Sequence, residues 1–576
     1  MKKLLVYLKD YKKESVLAPL FKMLEASFEL IVPLIVSAII DRGIATADKG
    51  YVIRMCLCLV GLGLVGLFSS VTAQYFSAKA AVGFATKLRH SLFQKMHSLS
   101  FAEIDKVGTS TMITRMTSDV NQVQSGVNLT LRLFLRSPFI VFGALVMALA
   151  LDLISATVFM VAIPVLCVIV FGIMLVTIPL YKKAQANLDG VVLSTRENLT
   201  GVRVIRAFCR EEDEKTDFSV RNQKLYKSQK FVGGISALMN PLTYAVINAA
   251  TIVLIWIGAL RVDAGILTQG KVVALYNYMS QILVELIKMA NLIVTLTKAV
   301  ASGNRLEGIL DMTSSLRQTG SMTVHPEFQS KRIVFDHVSL RYHGAGANSL
   351  TDITFSAAPG ETVGVIGGTG SGKTSLVHLI PHFYDATDGA VYVDGINVAD
   401  FDTETLRQKV GIVMQKAVLF QGSIRENLLW GKGDATDEEL TAAVETAQAS
   451  DVLQAKGGLS AQIEQGGKNL SGGQRQRLSI ARALVKRPEI LILDDSASAL
   501  DYATDAKLRK ALLRLDYQPT VLIVSQRTSS LRHADKILVL EDGVAVGMGK
   551  HEELLQTCPV YREIHESQNK SGEAQA

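Results

Sequence analysis

The sequence predicts an α-helical membrane half of six transmembrane helices followed by a soluble α/β half. Three observations predict it: long apolar stretches confined to the first 300 residues, a glycine-rich turn between a strand-like and a helix-like run, and a later apolar strand that ends in an acid. Hydrophobic residues make up 49% of the 576 and mean hydropathy is +0.27, yet the second half reads as an ordinary soluble sequence. The apolar excess therefore lies in the first half.

At the N-terminus, Lys9, Asp10, Lys12 and Lys13 interrupt a short apolar region and no small-residue cleavage site follows. Leu4 to Tyr11 is therefore read as an amphipathic helix at the membrane interface rather than a signal peptide. A spanning helix needs roughly 20 mainly apolar residues. The transmembrane domain is expected over 1–300, with spans at about 17–40, 53–76, 133–153, 155–180, 235–260 and 272–296. Pro138 to Leu180 carries a single charge, Asp152, so it holds two helices with a tight turn between them, whereas Ile235 to Leu260 carries none. The last span contains Glu285 and Lys288, three apart, which either pair on one helical face or contact a transported substrate. Glu25, Glu29, Asn240, Asn248, Tyr276, Asn277 and Asn291 are the other polar candidates there.

Lysines and arginines cluster before the first span, from Lys79 to Arg115 and from Lys182 to Lys230. The positive-inside rule makes those segments cytoplasmic, puts the connections at Asp41, Asp152 and Asp263 outside, and leaves both termini in the cytoplasm. The net charge of +7 fits these basic loops. No stacking or base-reading chemistry accompanies it, so nucleic acid is not an expected partner. Cys56, Cys58, Cys167, Cys209 and Cys558 have neither a disulfide framework nor metal-ligand spacing.

Two internal connections, Ser77 to Asn128 and Lys182 to Gly233, are too long for turns. Leu88, Leu92, Met96 and Leu99 keep a helical step, so the helices are expected to run past the bilayer and fold back as arms. Composition turns polar over the connector 301–331, with a helix expected to end near Leu316. The soluble domain follows at 332–567, with its first strand at Ile333-Val334-Phe335, and a polar tail at 568–576 closes the chain.

Within that domain, Thr362-Val363-Gly364-Val365-Ile366 runs directly into Gly367-Gly368-Thr369-Gly370-Ser371-Gly372-Lys373-Thr374 and then Ser375-Leu376-Val377. Strand, glycine turn and helix start are what a phosphate-binding P-loop needs. Bare N–H groups face the phosphates, Lys373 supplies charge and Thr374 a magnesium ligand. A P-loop alone leaves kinase, GTPase, helicase and transport ATPase open. Ile490-Leu491-Ile492-Leu493-Asp494 is a buried strand ending in the acid that holds magnesium beside a P-loop, and Asp495 follows it. Leu470-Ser471-Gly472-Gly473-Gln474 opens an amphipathic helix and makes a second anion cradle. Tyr342 stands ahead of the P-loop, where its ring either stacks on an adenine or is a plain surface tyrosine.

With these motifs the whole chain resembles an ATP-binding cassette (ABC) exporter with fused membrane and nucleotide-binding domains. The match extends to Gln415, to Ser498-Ala499-Leu500-Asp501 as the loop crossing a dimer interface, to Gln526 at the switch position, and in the membrane half to Ile104-Asp105, Gly108, Arg115, Asp119 and Glu197 through Phe208. The resemblance implies ATP and Mg2+ as ligands. It places Tyr342, Gly367 through Ser375, the signature Leu470 through Gln474 and Asp501 around nucleotide, Thr374, Gln415 and Asp494 around the metal, and Asp495, Gln526 and Gln415 in catalysis. Two ATP molecules lie between the P-loop of one chain and the signature of the other, and short helices at the arm tips, expected near Thr111 to Ser118 and Arg210 to Asp217, couple the domains.

Two positions depart from the family pattern: Asp495 stands where glutamate is usual, and Gln526 where histidine is usual. Aspartate places its carboxylate roughly 1 Å short, and such a misplacement costs on the order of a hundredfold in rate. Glutamine donates a hydrogen bond but carries no proton or charge as imidazole does. The resulting expectation is a slow site in a heterodimer, as in bacterial multidrug exporters. A non-identical subunit there brings the catalytic glutamate and switch histidine, and this chain's intact signature completes that subunit's site. Gln465-Gly466-Gly467 before the signature also departs from the usual pattern and leaves Glu464 as the candidate arm contact. The substrate class expected is an amphipathic drug or lipid. A homodimeric lipid or peptide transporter, or a mainly regulatory ATP-binding subunit, is the alternative.

Overall fold

The computed structural model describes residues 2–317 and 320–573. Residues 318–319 of the expected connector and 574–576 of the expected tail lie outside the described residues. The chain divides into two compact units, one of residues 1–97 and 109–312, the other of 98–108 and 313–576.

In the first unit, six helices are long and apolar enough to cross a membrane: Lys3–Ile44, Lys49–Ser98, Thr109–Leu151, Leu153–Thr200, Glu211–Asp263 and Gln269–Leu310. The second shows how one helix serves two solvents. Leu57, Val60, Leu64, Leu67 and Phe68 are exposed along its apolar half, whereas Ala81, Phe84, Ala85, Leu88 and Leu92 farther along are buried at steps of three and four. Those residues pack with Leu4, Val120, Val123, Leu306 and Ile309, so the arm has a core of its own. Leu4 is inserted there, from a ten-residue 3-10 helix over Lys2–Tyr11.

Acids close the helix ends at two of the expected external connections. Asp152 starts Leu153–Thr200 by accepting from Ser155 N at 2.8 Å and receives Arg261 at 2.6 Å. Asp41 accepts from Gly270 N at 2.8 Å and Thr268 Oγ1 at 2.6 Å, satisfying donors at the start of the sixth span. A side chain at Gly270 would meet Ser37 O at 2.3 Å, so only glycine permits that approach.

Two expectations are corrected here. The last helix runs to Leu310 because Ala299, Ser302, Gly303, Leu306 and Ile309 keep its buried stripe, and it stops short of the end expected near Leu316. The short arm helices are Phe101–Val107 and Val202–Ala207, each about ten residues ahead of the segments expected. Ser100 and Glu103 form a capping box and Gly108, at φ +80°, stops the first. Gly201 precedes the second. Glu211 to Glu214 instead fill the first turn of a returning helix, where acids complement the helix dipole.

The second unit carries a six-stranded sheet in the order Val544–Gly549, Lys536–Glu541, Thr362–Gly367, Thr520–Val524, Ile490–Asp494, Val410–Val413. All neighbours are parallel except the first pair. Ile490–Asp494 and Thr520–Val524 are buried at every residue, which is why they read as unbroken apolar runs. A four-stranded antiparallel sheet, Leu350–Ala357, Ile333–Leu340, Asp388–Val393 and Ile396–Asn397, packs beside it. The P-loop leaves the carboxyl end of a strand with parallel partners on both sides, so its position is set by the sheet.

Candidate functional site

The P-loop glycines divide into two that close packing requires and two that face open space. A side chain at Gly367 would meet Leu540 O at 2.1 Å, and Gly372, at φ +91°, has Ser349 O at 2.5 Å from where a Cβ would stand. Gly368 and Gly370 face open space within 4 Å, the room a phosphate-sized group needs. Gly372 leads straight into helix Lys373–Leu379, whose first N–H groups face the loop.

A cleft of about 230 Å³ is bounded by Thr369 through Ser375, Ser349, Gln415, Asp494, Asp495, Val524 and Gln526. Lys373 Nζ lies on Gly367 O at 2.9 Å, Gly368 O at 2.5 Å and Ser371 Oγ at 3.3 Å. Burial pulls Lys373 below the ordinary lysine range, with Asp495 and Asp494 opposing. Thr374 Oγ1 donates to Asp494 Oδ1 at 3.2 Å, and buried Asp494 Oδ2 has no hydrogen-bond partner among the described residues. Burial raises the pKa of both Asp494 and Asp495 above the usual carboxylate value. A hydroxyl, an orphaned carboxylate oxygen and a second acid in one cleft are the donor set a hard cation such as Mg2+ takes, and the residues fit it.

Asp495 adopts φ +44°, a conformation that short Asp and Asn side chains accept more readily than longer ones. Its N–H donates to Val524 O at 3.0 Å, and its Oδ2 receives Gln415 Nε2 at 3.3 Å. Gln526 lines the same cleft. The next residue, Arg527, donates to Leu500 O at 3.3 Å and stacks over the Tyr502 ring at 4.8 Å.

The signature stands apart. No residue of Leu470–Gln474 is in the lining of that cleft. Ser471 and Gln474 satisfy one another in a capping box, at 2.9 and 3.2 Å, at the start of helix Gly472–Val485. A side chain at Gly472 would meet nothing within 4 Å, while one at Gly473 would sit 2.9 Å from Ala499 O. Asp501 is also away from the cleft; both its carboxylate oxygens hold Thr504, at 2.9 and 2.8 Å, at the start of Tyr502–Leu512. Ahead of the signature, Gly466 and Gly467 adopt φ +72° and +67°, and Gly467 N donates to Glu464 O at 2.7 Å, so this departure is built as a tight turn.

Tyr342 donates to Ser375 Oγ at 2.9 Å and stands edge-on to Tyr384, centroids 5.1 Å apart. Tyr384, absent from the sequence expectations, donates to Asp105 Oδ2 at 2.6 Å, while Phe101 packs on Phe383 at 4.6 Å. The short helix Phe101–Val107 thus touches the ring that touches Tyr342. Asp105 was singled out by resemblance; no local signal marked Tyr384.

In the membrane unit, buried Arg136 binds Glu29 at 2.7 and 2.9 Å and Glu285 at 2.7 Å, and Glu285 also takes Ser137 and Lys288, each at 2.8 Å. The expected pairing of Glu285 with Lys288 exists, inside a larger cluster. A cavity of about 620 Å³ lies between Ile173, Met174, Ile178 and Val294, with Tyr181, Lys182, Asn291 and Lys298 on its wall.

Residues 15–286 match the family described as ABC transporter transmembrane region, and residues 350–498 the family described as ABC transporter. The chain is 34% identical over 568 residues to an uncharacterized ABC transporter ATP-binding protein of Mycobacterium tuberculosis, Rv1273c, covering 98% of this chain and 97% of that one. It is 35% identical over 569 residues to the uncharacterized ABC transporter ATP-binding protein YfiB of Bacillus subtilis, covering 99% and 98%. Its fold is similar to a bacterial Atm1-family ABC exporter solved with ATP bound, with a TM-score of 0.79 at 22% identity over 97% of this chain and 98% of that one.

Proposed function

This chain belongs to the ABC transporter family, with its membrane and ATP-binding halves fused, and from that premise we propose that its own P-loop cleft is a slow, ATP-holding site while its signature serves a faster one. The chain is an ATP-coupled transmembrane transporter, a multi-pass inner-membrane protein with its nucleotide-binding domain in the cytoplasm. One observation carries the proposal: Asp495 and Gln526, the two residues that depart from the family pattern, line one cleft with Lys373.

Lys373 and the open glycine positions bind and orient the phosphates. Thr374 and Asp494, with Gln415 beside them, hold magnesium, which supplies charge neutralisation when bound. Asp495 is the acid available to a water, on a side chain roughly 1 Å too short for a position usually filled by glutamate. Gln526 donates one hydrogen bond and cannot take up a proton. ATP is therefore bound well and cleaved slowly. The position of Leu470–Gln474 outside this cleft supports a site completed between two chains, and the paired departures at Asp495 and Gln526 favour as partner a second, non-identical subunit with glutamate and histidine at the two positions. The largely apolar cavity of the membrane unit supports an amphipathic small molecule or lipid as the cargo, moved outward.

A second reading has its own observation. Gln415 holds Asp495 Oδ2 and burial strengthens Asp495 as a base, which favours a homodimer that turns over at two like sites, carrying lipid or peptide. Isolating the tagged chain from its native membrane separates the two. The heterodimer predicts an equimolar second ABC subunit and little turnover from this chain alone. Recovery of this chain alone with full turnover contradicts it and supports the homodimer.

A further inference from the structure

The chain's last helix, Pro559–Glu573, extends past the expected domain end at 567 and returns to the switch loop. Gln568 makes three hydrogen bonds there. Its Oε1 accepts from Thr528 N at 3.0 Å and from Thr528 Oγ1 at 3.0 Å, and its Nε2 donates to Gln526 O at 2.6 Å. An N–H on one side and a carbonyl on the other leave a single orientation of the amide that satisfies both. Thr528 is buried and also meets His565 Nδ1 at 3.1 Å, one turn earlier on the same helix.

The other residues of the loop between Val524 and Thr528 are held: Ser525 N donates to Val365 O at 3.1 Å, Arg527 N donates to Ser525 Oγ at 3.0 Å, and the Arg527 guanidinium reaches the Leu500 and Ser498 carbonyls and stacks over the Tyr502 ring. Among the described contacts, the Gln526 backbone carbonyl is held by Gln568. Since that carbonyl fixes where the Gln526 side chain departs, a shift there moves its amide relative to the P-loop. We propose that Gln568 is a positioning residue for ATP hydrolysis, locking the switch loop from the C-terminal helix. The proposal rests on the reading of Gln526 as the residue that faces the terminal phosphate.

The test uses the assembled transporter isolated through this chain, with single-turnover ATP hydrolysis at its P-loop site and equilibrium ATP binding as readouts. Gln568→Ala is expected to slow hydrolysis on the order of tenfold and leave affinity within about twofold. Gln568→Glu keeps the two acceptor bonds to Thr528 but sets a carboxylate oxygen against the Gln526 carbonyl, so it is expected to slow hydrolysis at least as much as Gln568→Ala while ATP affinity again stays within about twofold. In a Gln526→Ala background, Gln568→Ala should add nothing, because the group it positions is gone. Unchanged hydrolysis in both Gln568 variants, or equal added losses in the Gln526→Ala background, overturns the proposal. A slowed Gln526→Ala beside unaffected Gln568 variants ends the clamp and keeps the switch. An unaffected Gln526→Ala ends the switch reading, and the clamp with it.

Discussion

The P-loop cleft and the signature turn both set glycines at a helix start, but their polar groups are in opposite conditions. In the cleft, Asp494 Oδ2 is buried without a partner among the described residues, Lys373 lies back on its own loop's carbonyls, and burial raises the pKa of two acids. At the signature, Ser471 and Gln474 complete one another and Gly472 faces open space. The cleft is a site whose internal charges call for a ligand, whereas the signature is a finished surface presented outward. Asp495 and Gln526, the two departures at catalytic positions, fall on the cleft, while Leu470–Gln474 itself is intact, which is the basis for assigning this chain a holding role at one site and a completing role at another.

The largest effect that can sharpen this contrast is loss of the cleft's charge. Lys373→Ala removes charge-assisted bonds to phosphate and is expected to weaken ATP binding at this site on the order of 100-fold, read by equilibrium nucleotide binding. If the cleft is a holding site, overall turnover falls because the ATP sandwich cannot close, and the fall exceeds the slow hydrolysis that the site itself contributes.

A smaller effect concerns Asp494. Burial raises its pKa, so the nucleotide-free native state favours the protonated carboxyl more than the unfolded chain does. That contribution is present in acid and is lost as pH rises through the raised value. Asp494→Asn should therefore be more stable than the wild type at neutral pH, with the difference vanishing in acid. Thermal unfolding without nucleotide measures it. With Mg2+ and ATP the order should reverse, because the variant lacks the carboxylate that the cation takes.

How much of this was legible depended on how local the signal was. The P-loop and the strand ending at Asp494 are runs of adjacent residues whose backbone roles are fixed by glycine geometry and by burial on both sheet faces. The spans were legible from length and charge. Arg136 was not, because it sits just ahead of an apolar run and its partners Glu29 and Glu285 are on other helices. Tyr384 and Gln568 have meaning only through Asp105 and Gln526, far away in the chain, and no periodicity marks them. The arm tips were misplaced because Gly108 and Gly201, which delimit the short helices, carry the boundary, while the acidic run after Arg210 belongs to a helix start.

The central claim is tested most directly by comparing the steady-state ATPase of the assembled transporter carrying Gly472→Glu with that carrying Asp495→Asn. Among the described residues nothing lies within 4 Å of a Cβ at Gly472, and an acid at a helix start suits the helix dipole, so a loss with unchanged Tm reports a phosphate approaching from the other subunit. The account predicts about a 100-fold loss for Gly472→Glu with unchanged Tm, and a far smaller loss for Asp495→Asn than the roughly 100-fold that removal of a working general base costs. Turnover abolished by Asp495→Asn and retained by Gly472→Glu would contradict it.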